Sequence, residues 1–169
     1  MHMKLIATLM VGMAVTASAW AHVTVAPREA PAGSYLKAVF QVPHGCDGGA
    51  TTGIHVTLPE GIVIAKPEPK PGWRLTIRHA ALSTPVQNEG HTLTERVSEV
   101  SWQGGELPDA EFDEFVILVR LPTEQGRVSF PVIQSCGTHE VRWVQEPASD
   151  RSEKPPPHPA PSVRLTPRP

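Results

Sequence analysis

Along most of the chain, apolar and polar residues alternate with a period of two, in short runs cut by proline and glycine. The runs are YLKAVFQV before Pro43, GIHVTL before Pro59, WRLTI after the turn PKPGW, SEVSW before Gly104-Gly105, EFVILVRL before Pro122, VSFPVI and EVRWV. Period two sends successive side chains to opposite faces of an extended strand, and no run holds the 3.6-residue period of a helix. Many short strands with turn chemistry between them predict an all-β protein, a single antiparallel β-sandwich of the immunoglobulin or cupredoxin-like type. Prolines at the strand ends fit, because proline has no N–H to give to a ladder.

Both ends of the chain depart from this pattern. Residues 1–21 carry one basic residue, Lys4, then the apolar run LIATLMVGMAV, then small residues ending in Ala19-Trp20-Ala21. That order of charge, short apolar core and small-residue site is the pattern of a secretory signal peptide cut after Ala21. The apolar run is shorter than the roughly 20 residues that span a bilayer. The expected working chain therefore begins at His22, is exported to the periplasm, and keeps no stable insertion in the membrane. At the other end, eight of the nineteen prolines lie from Pro147 onward. So polar and proline-rich a segment buries too little to offset its ordering, so residues 148–169 are predicted to be largely extended or mobile. Within them SVRL, residues 162–165, is the one stretch able to add a final edge strand. The sandwich itself is predicted over residues 22–147.

Export changes the composition. All four methionines, Met1, Met3, Met10 and Met13, fall in the removed segment, so no thioether remains. Two cysteines do remain, Cys46 and Cys136. An exported chain with an even cysteine count is expected to join them in a disulfide, adding about 2 to 4 kcal/mol. Of the 15 basic side chains, removal of Lys4 leaves 14 against 17 acidic ones, with no block of either sign. This balance argues against nucleic acid or an anionic membrane surface as partner. The chain has no nucleophile motif, phosphate-binding loop or clustered zinc-type spacing, and GGATTG reads as a flexible connection beside the disulfide.

Cleavage before His22 would give one residue both an imidazole and a free α-amine. With an amine pKa near about 7.7 to 8.0, a metal can displace its proton at neutral pH, and nitrogen donors in a plane suit Cu(II). Many exported chains start with histidine by accident, so the histidine alone does not decide.

A set of motifs in order does more. HVTVAPREAPAGSYLKAVFQVP, TTGIHVTLPEGI, KPGW, VSWQGGELPDAEFDEF, the Q-S-C segment, VRWVQEP and HPAPSVRL resemble the YcnI-like copper-binding domain family, and PHGC and VIQSC resemble its cysteine-containing Gram-negative version. The resemblance implies a β-sandwich that binds Cu(II) through a single-histidine brace. Its parts carry over as the amine and imidazole of His22, a carboxylate at Glu114 in FDEF, and a nearby tryptophan at Trp143 in VRWVQ. The leading expectation built on it is a periplasmic protein of copper homeostasis, storing, buffering or delivering copper to a partner protein, and not an enzyme.

The residues themselves leave choices open. In EFDEFVILVRL, Phe115, Ile117, Val119 and Leu121 share one face and Glu114, Val116 and Leu118 the other, so Glu114 stands out on a face that looks apolar. A carboxylate taken out of water needs a cation or a metal, which could be Arg142, Arg120 or copper, unless the strand end is simply exposed. Asp113 lies beside it on the opposite face. Trp73 and Trp102 read as core; Trp143 is either core or a shield for the metal. His55 alternates with Ile54 and Val56 and is expected to face solvent. Cys136 and His139, in C-G-T-H, have the spacing of a blue-copper loop, as His44 has proximity to Cys46, but the lack of methionine and the second cysteine favour the disulfide. Two rivals remain: an oxidative copper enzyme, which needs a second histidine that no segment supplies by motif, and a metal-free sandwich that binds another protein.

Overall fold

The computed structural model describes residues 22–146 and 156–168. The expected signal peptide, residues 1–21, lies outside the described residues, as do residues 147–155. The described residues form twelve strands and no helix. In chain order these are Thr24–Ala26 (β1), Glu29–Pro31 (β2), Tyr35–Val42 (β3), Thr51–Thr57 (β4), Ala65–Pro67 (β5), Arg74–Asn88 (β6), His91–Leu107 (β7), Asp113–Arg120 (β8), Gly126–Ser129 (β9), Val132–Cys136 (β10), His139–Trp143 (β11) and Ser162–Thr166 (β12).

They build the expected sandwich. One sheet has the order β1-β3-β8-β5, a second β11-β10-β4-β7-β6, and a third, smaller one β2-β12-β9. Alternation decides what each strand buries: β3 turns Leu36, Ala38, Phe40 and Val42 inward, and β8 turns Phe115, Ile117 and Val119 inward. Aromatic rings join the layers, with Trp73 edge-on to Phe115 at 5.0 Å, Trp102 on Phe115 at 5.4 Å and Phe130 edge-on to Phe40 at 5.5 Å. Trp102 is fully buried and donates its indole N–H to the Glu68 carbonyl, 3.0 Å away, so this core tryptophan leaves no orphaned donor.

Two strands run further than the alternation predicts. β6 and β7 extend to a tight reversal at Glu89-Gly90, both at positive φ, as a two-residue hairpin loop of matching twist demands. Gly104-Gly105, expected to end a strand, instead lies within β7. A Cβ on Gly105 would come 2.2 Å from the Trp73 ring, so the glycine is there for close approach.

The tail corrects the prediction at two points. β12 does form, but it lies between β2, to which it is parallel, and β9, to which it is antiparallel, so it is the middle strand of its sheet and not an edge. Ala160, Val163 and Leu165 are buried, so from residue 156 the tail belongs to the packed fold, which does not stop at 147. Cys46 and Cys136 are joined, Cα to Cα 5.8 Å, tying the loop after β3 to the end of β10 across 90 residues of sequence.

Candidate metal centre

Two of the candidate residues, His22 and Trp143, are brought together at an edge of the sandwich, where β1 borders one sheet and β11 the other. Val23 and Val25 are buried and hold this segment against the core, while His22 is exposed. The His22 ring lies on Trp143, centroids 5.3 Å apart and planes inclined at 59°. Thus the two residues with the plainest motif placement meet, although 121 residues separate them (143 − 22).

Trp143 cannot turn freely. It is 3% exposed at the end of β11, and its indole N–H donates to the Gln134 side-chain carbonyl at 3.1 Å. Gln134 is fully buried on β10, and its amide donates to the His44 carbonyl and to the Thr51 hydroxyl oxygen, each at 2.8 Å. A buried amide left unpaired costs about 1 to 3 kcal/mol, so this partner set selects one orientation of the glutamine and hence of the indole. Thr51 in turn lies 3.8 Å from Cys136 Sγ, which puts the disulfide directly behind the network. Among the described residues, no buried side-chain nitrogen or oxygen lacks a partner.

Glu114 is placed differently from the other two. The outer face of β8 is open: Glu114 is exposed, Val116 half-buried, and Leu118 41% exposed. Of the alternatives left open for Glu114, the exposed strand end is the one found. Alternation shows which side chains share a face, but not whether another layer covers that face. Nor does Glu114 pair with either arginine; Arg142 lies 3.7 Å from Glu140, and Arg120 donates to Asn88. Its partner is Gln41, whose amide donates to it at 3.2 Å, while Gln41 accepts from the Thr24 hydroxyl at 3.2 Å. Thr24, Gln41 and Glu114 sit in register across β1, β3 and β8, a row about 10 Å wide at ordinary strand spacing. Glu114 thus connects to β1 two residues after His22, through two side chains. Asp113 is committed elsewhere: Lys70 donates to it at 2.7 Å and lies 5.0 Å from the Phe115 ring centre.

The other histidines separate as follows. His55 is half-buried beside the Gln103 amide at 3.2 Å, rather than fully in solvent. His139 is exposed opposite Cys136, and the disulfide removes the thiolate that a blue-copper loop would need. His158 is the residue the sequence reading passed over. Its ring stands edge-on to Trp143, centroids 5.2 Å apart and planes at 85°, so the indole contacts two imidazoles. The available signal was SVRL: a strand there obliges the few residues before it to run along the sandwich instead of away from it. A shallow pocket of about 230 Å³ opens here, lined by His22, Val23, Thr24, Val25, Arg28 and residues 159–162.

Among the described residues, no group of three or more His, Cys, Asp or Glu side chains is placed to hold a metal ion. A metal here would need a further donor, such as the main-chain amine that the expected cleavage before His22 would expose. With that amine free, the donor chemistry would suit copper(II): an exposed imidazole, an indole fixed beside it, and sulfur sequestered in a disulfide.

A family model described as a domain of unknown function, DUF1775, matches residues 22–165, beginning at His22 and ending within β12. A solved structure reported as an uncharacterized protein from Nocardia farcinica with an immunoglobulin-like fold is 33% identical. It aligns over 85% of this chain and 97% of its own, with a TM-score of 0.63. No curated protein matches the chain.

Proposed function

The chain belongs to the YcnI-like family, the domain of unknown function DUF1775, and from that premise we propose that it is a periplasmic copper(II)-binding protein that holds the ion at its processed N-terminus. The observation that carries the reading is the contact of His22 with Trp143, an exposed imidazole against an indole locked by a buried glutamine. When bound, copper would take the amine and imidazole of His22 as a chelating pair, beside Trp143. Glu114 is the carboxylate of the set, and to serve it must give up Gln41. Asp113 suits that role less, since it would have to give up a charged partner, Lys70 at 2.7 Å.

The protein's own groups do three things in this reading. The buried valines Val23 and Val25 fix where the chain starts; the Gln134 network fixes the indole; the disulfide anchors that network. Nitrogen and oxygen donors without thioether or thiolate favour Cu(II) over Cu(I), so reduction would favour release to a partner protein, in keeping with storage or delivery and not catalysis. The two exposed aromatic rings among the described residues, Tyr35 and Phe112, stand at opposite ends of the β3–β8 pair and form no joint platform beside His22.

The test begins with mass spectrometry of the exported protein, which should start at His22. That form should take up one Cu(II) with quenching of tryptophan fluorescence and bind Cu(I) more weakly. Tighter Cu(I) binding, or a mature chain that starts elsewhere, overturns the reading.

A further inference from the structure

On the outer face of the β1-β3-β8-β5 sheet, apolar side chains in adjacent rows are left open to water. Leu118 is 41% and Tyr35 53% exposed, and Val39 and Val116 are half-buried. The charges on this face are sorted by position along β8. Glu114 lies near its start, and Glu68 is level with Val116, where its N–H donates to the Val116 carbonyl at 2.9 Å. Lys37 and Lys66 flank Leu118, and Arg120 closes the strand. Val116 and Leu118 thus separate two carboxylates from three cations. Glu89, at the hairpin tip, borders the same hollow as Lys66 and Leu118 and offsets one of the three. Lys37 and Glu68 lie 3.9 Å apart with both side chains mostly exposed, a pair weak enough for either to take another partner.

A face with halves of opposite sign about an apolar middle is complementary to itself. A two-fold axis in the plane of the face, crossing the strands between Val116 and Leu118, turns the acidic half of one copy onto the cationic half of a second. Val116 then meets Leu118, Glu68 meets Lys66 and Glu114 meets Arg120, each contact occurring twice, as an isologous interface requires. Four strands at about 4.8 Å, over the about 26 Å of an eight-residue β8, offer about 500 Å² per copy and about 1,000 Å² in all, the low end for a specific interface. We propose that this face is a reversible dimer interface between two copies of the chain, and that it covers Glu114. One consequence rests on the copper reading above. Glu114 cannot pair with a cation of the second copy and bind copper at the same time, so by linkage dimerisation and copper loading weaken each other.

The experiment is sedimentation of the exported chain beginning at His22, metal-free, from micromolar to millimolar concentration. The mass should rise from one copy to two, and added salt should weaken the association. Two charge-reversed variants, Lys66→Glu with Arg120→Glu and Glu68→Lys with Glu114→Lys, each set like charge against like and should self-associate at least about tenfold more weakly. Mixed in equal amounts they should pair again, because every one of these contacts then joins opposite charges. Far-UV circular dichroism checks that each variant is folded. A native chain that stays monomeric throughout, or reversals that leave the dimer intact, overturn the proposal. Should a variant not fold, native association that is indifferent to salt still overturns it. One equivalent of Cu(II) should then shift the native dimer toward monomer. Copper-loaded protein that stays dimeric overturns the competition at Glu114 and leaves the interface standing, whereas a chain that takes up no Cu(II) overturns the copper reading and leaves the interface to the sedimentation result.

Discussion

His22 has two flanks, and they hold their polar groups by bonds of nearly equal length at very different cost. On one side Trp143, Gln134, Thr51 and the His44 carbonyl form a buried chain with bonds of 2.8 to 3.1 Å. On the other, Thr24, Gln41 and Glu114 form a surface row with bonds of 3.2 Å. The difference is water. On the outer face a broken bond is replaced by one to solvent, whereas in the interior it leaves a donor or acceptor with nothing. The buried flank therefore fixes geometry, and the surface flank can rearrange. A metal site at their junction would have one rigid wall and one adaptable one.

The comparison can be broken or sharpened by a series of changes. The largest effect is expected from any residue left before His22: with the amine turned into an amide, stoichiometric Cu(II) uptake should vanish in calorimetry while the fold is retained. Next, replacing both cysteines, Cys46→Ser with Cys136→Ser, should cost about 4 kcal/mol of unfolding free energy in urea, since the bridge closes a long loop. Third, Gln134→Leu should cost about 3 kcal/mol by orphaning the indole N–H and the His44 carbonyl, and should weaken the near-UV signal of Trp143. Smallest is Glu114→Gln, expected to move stability by less than about 0.5 kcal/mol because both side chains are free to hydrate. In Cu(II) affinity Glu114→Gln should fall well short of the loss caused by a residue left before His22.

The disulfide bears on the buried flank. Thr51 contacts both Gln134 and Cys136, so the covalent link and the indole's anchor share a neighbour. The double serine variant is thus expected to loosen Trp143 as well as destabilise the chain. Matching near-UV spectra of the native and variant proteins under conditions where both are folded would show that the two are uncoupled.

Some of this was legible in the residues because it is local. Alternation in YLKAVFQV delimits β3 to the residue, and the same pattern separates the buried Phe115, Ile117 and Val119 of β8 from the other face. The long arms of β6 and β7 were hidden because the outer part of that hairpin leaves the core, and a strand exposed on both faces shows no alternation. For Glu114 the alternatives stayed open for a related reason: Val116 and Leu118 resemble a covered face in sequence, yet Glu114 and Leu118 are exposed.

What the sequence determined by itself is the class of the fold, the identity of the residue that follows the expected cleavage site, and the pairing of two cysteines that had only each other. These follow from side-chain period, local composition and a count, none of which needs distant contacts. Only the tertiary structure decided that His22 lies on Trp143, that Gln134 fixes the indole, that Glu114 stays in water, and that a proline-rich tail returns to set His158 on the same ring. Each of those depends on which strands become neighbours, and that is set by burial of apolar faces drawn from all over the chain, an outcome that no local pattern encodes.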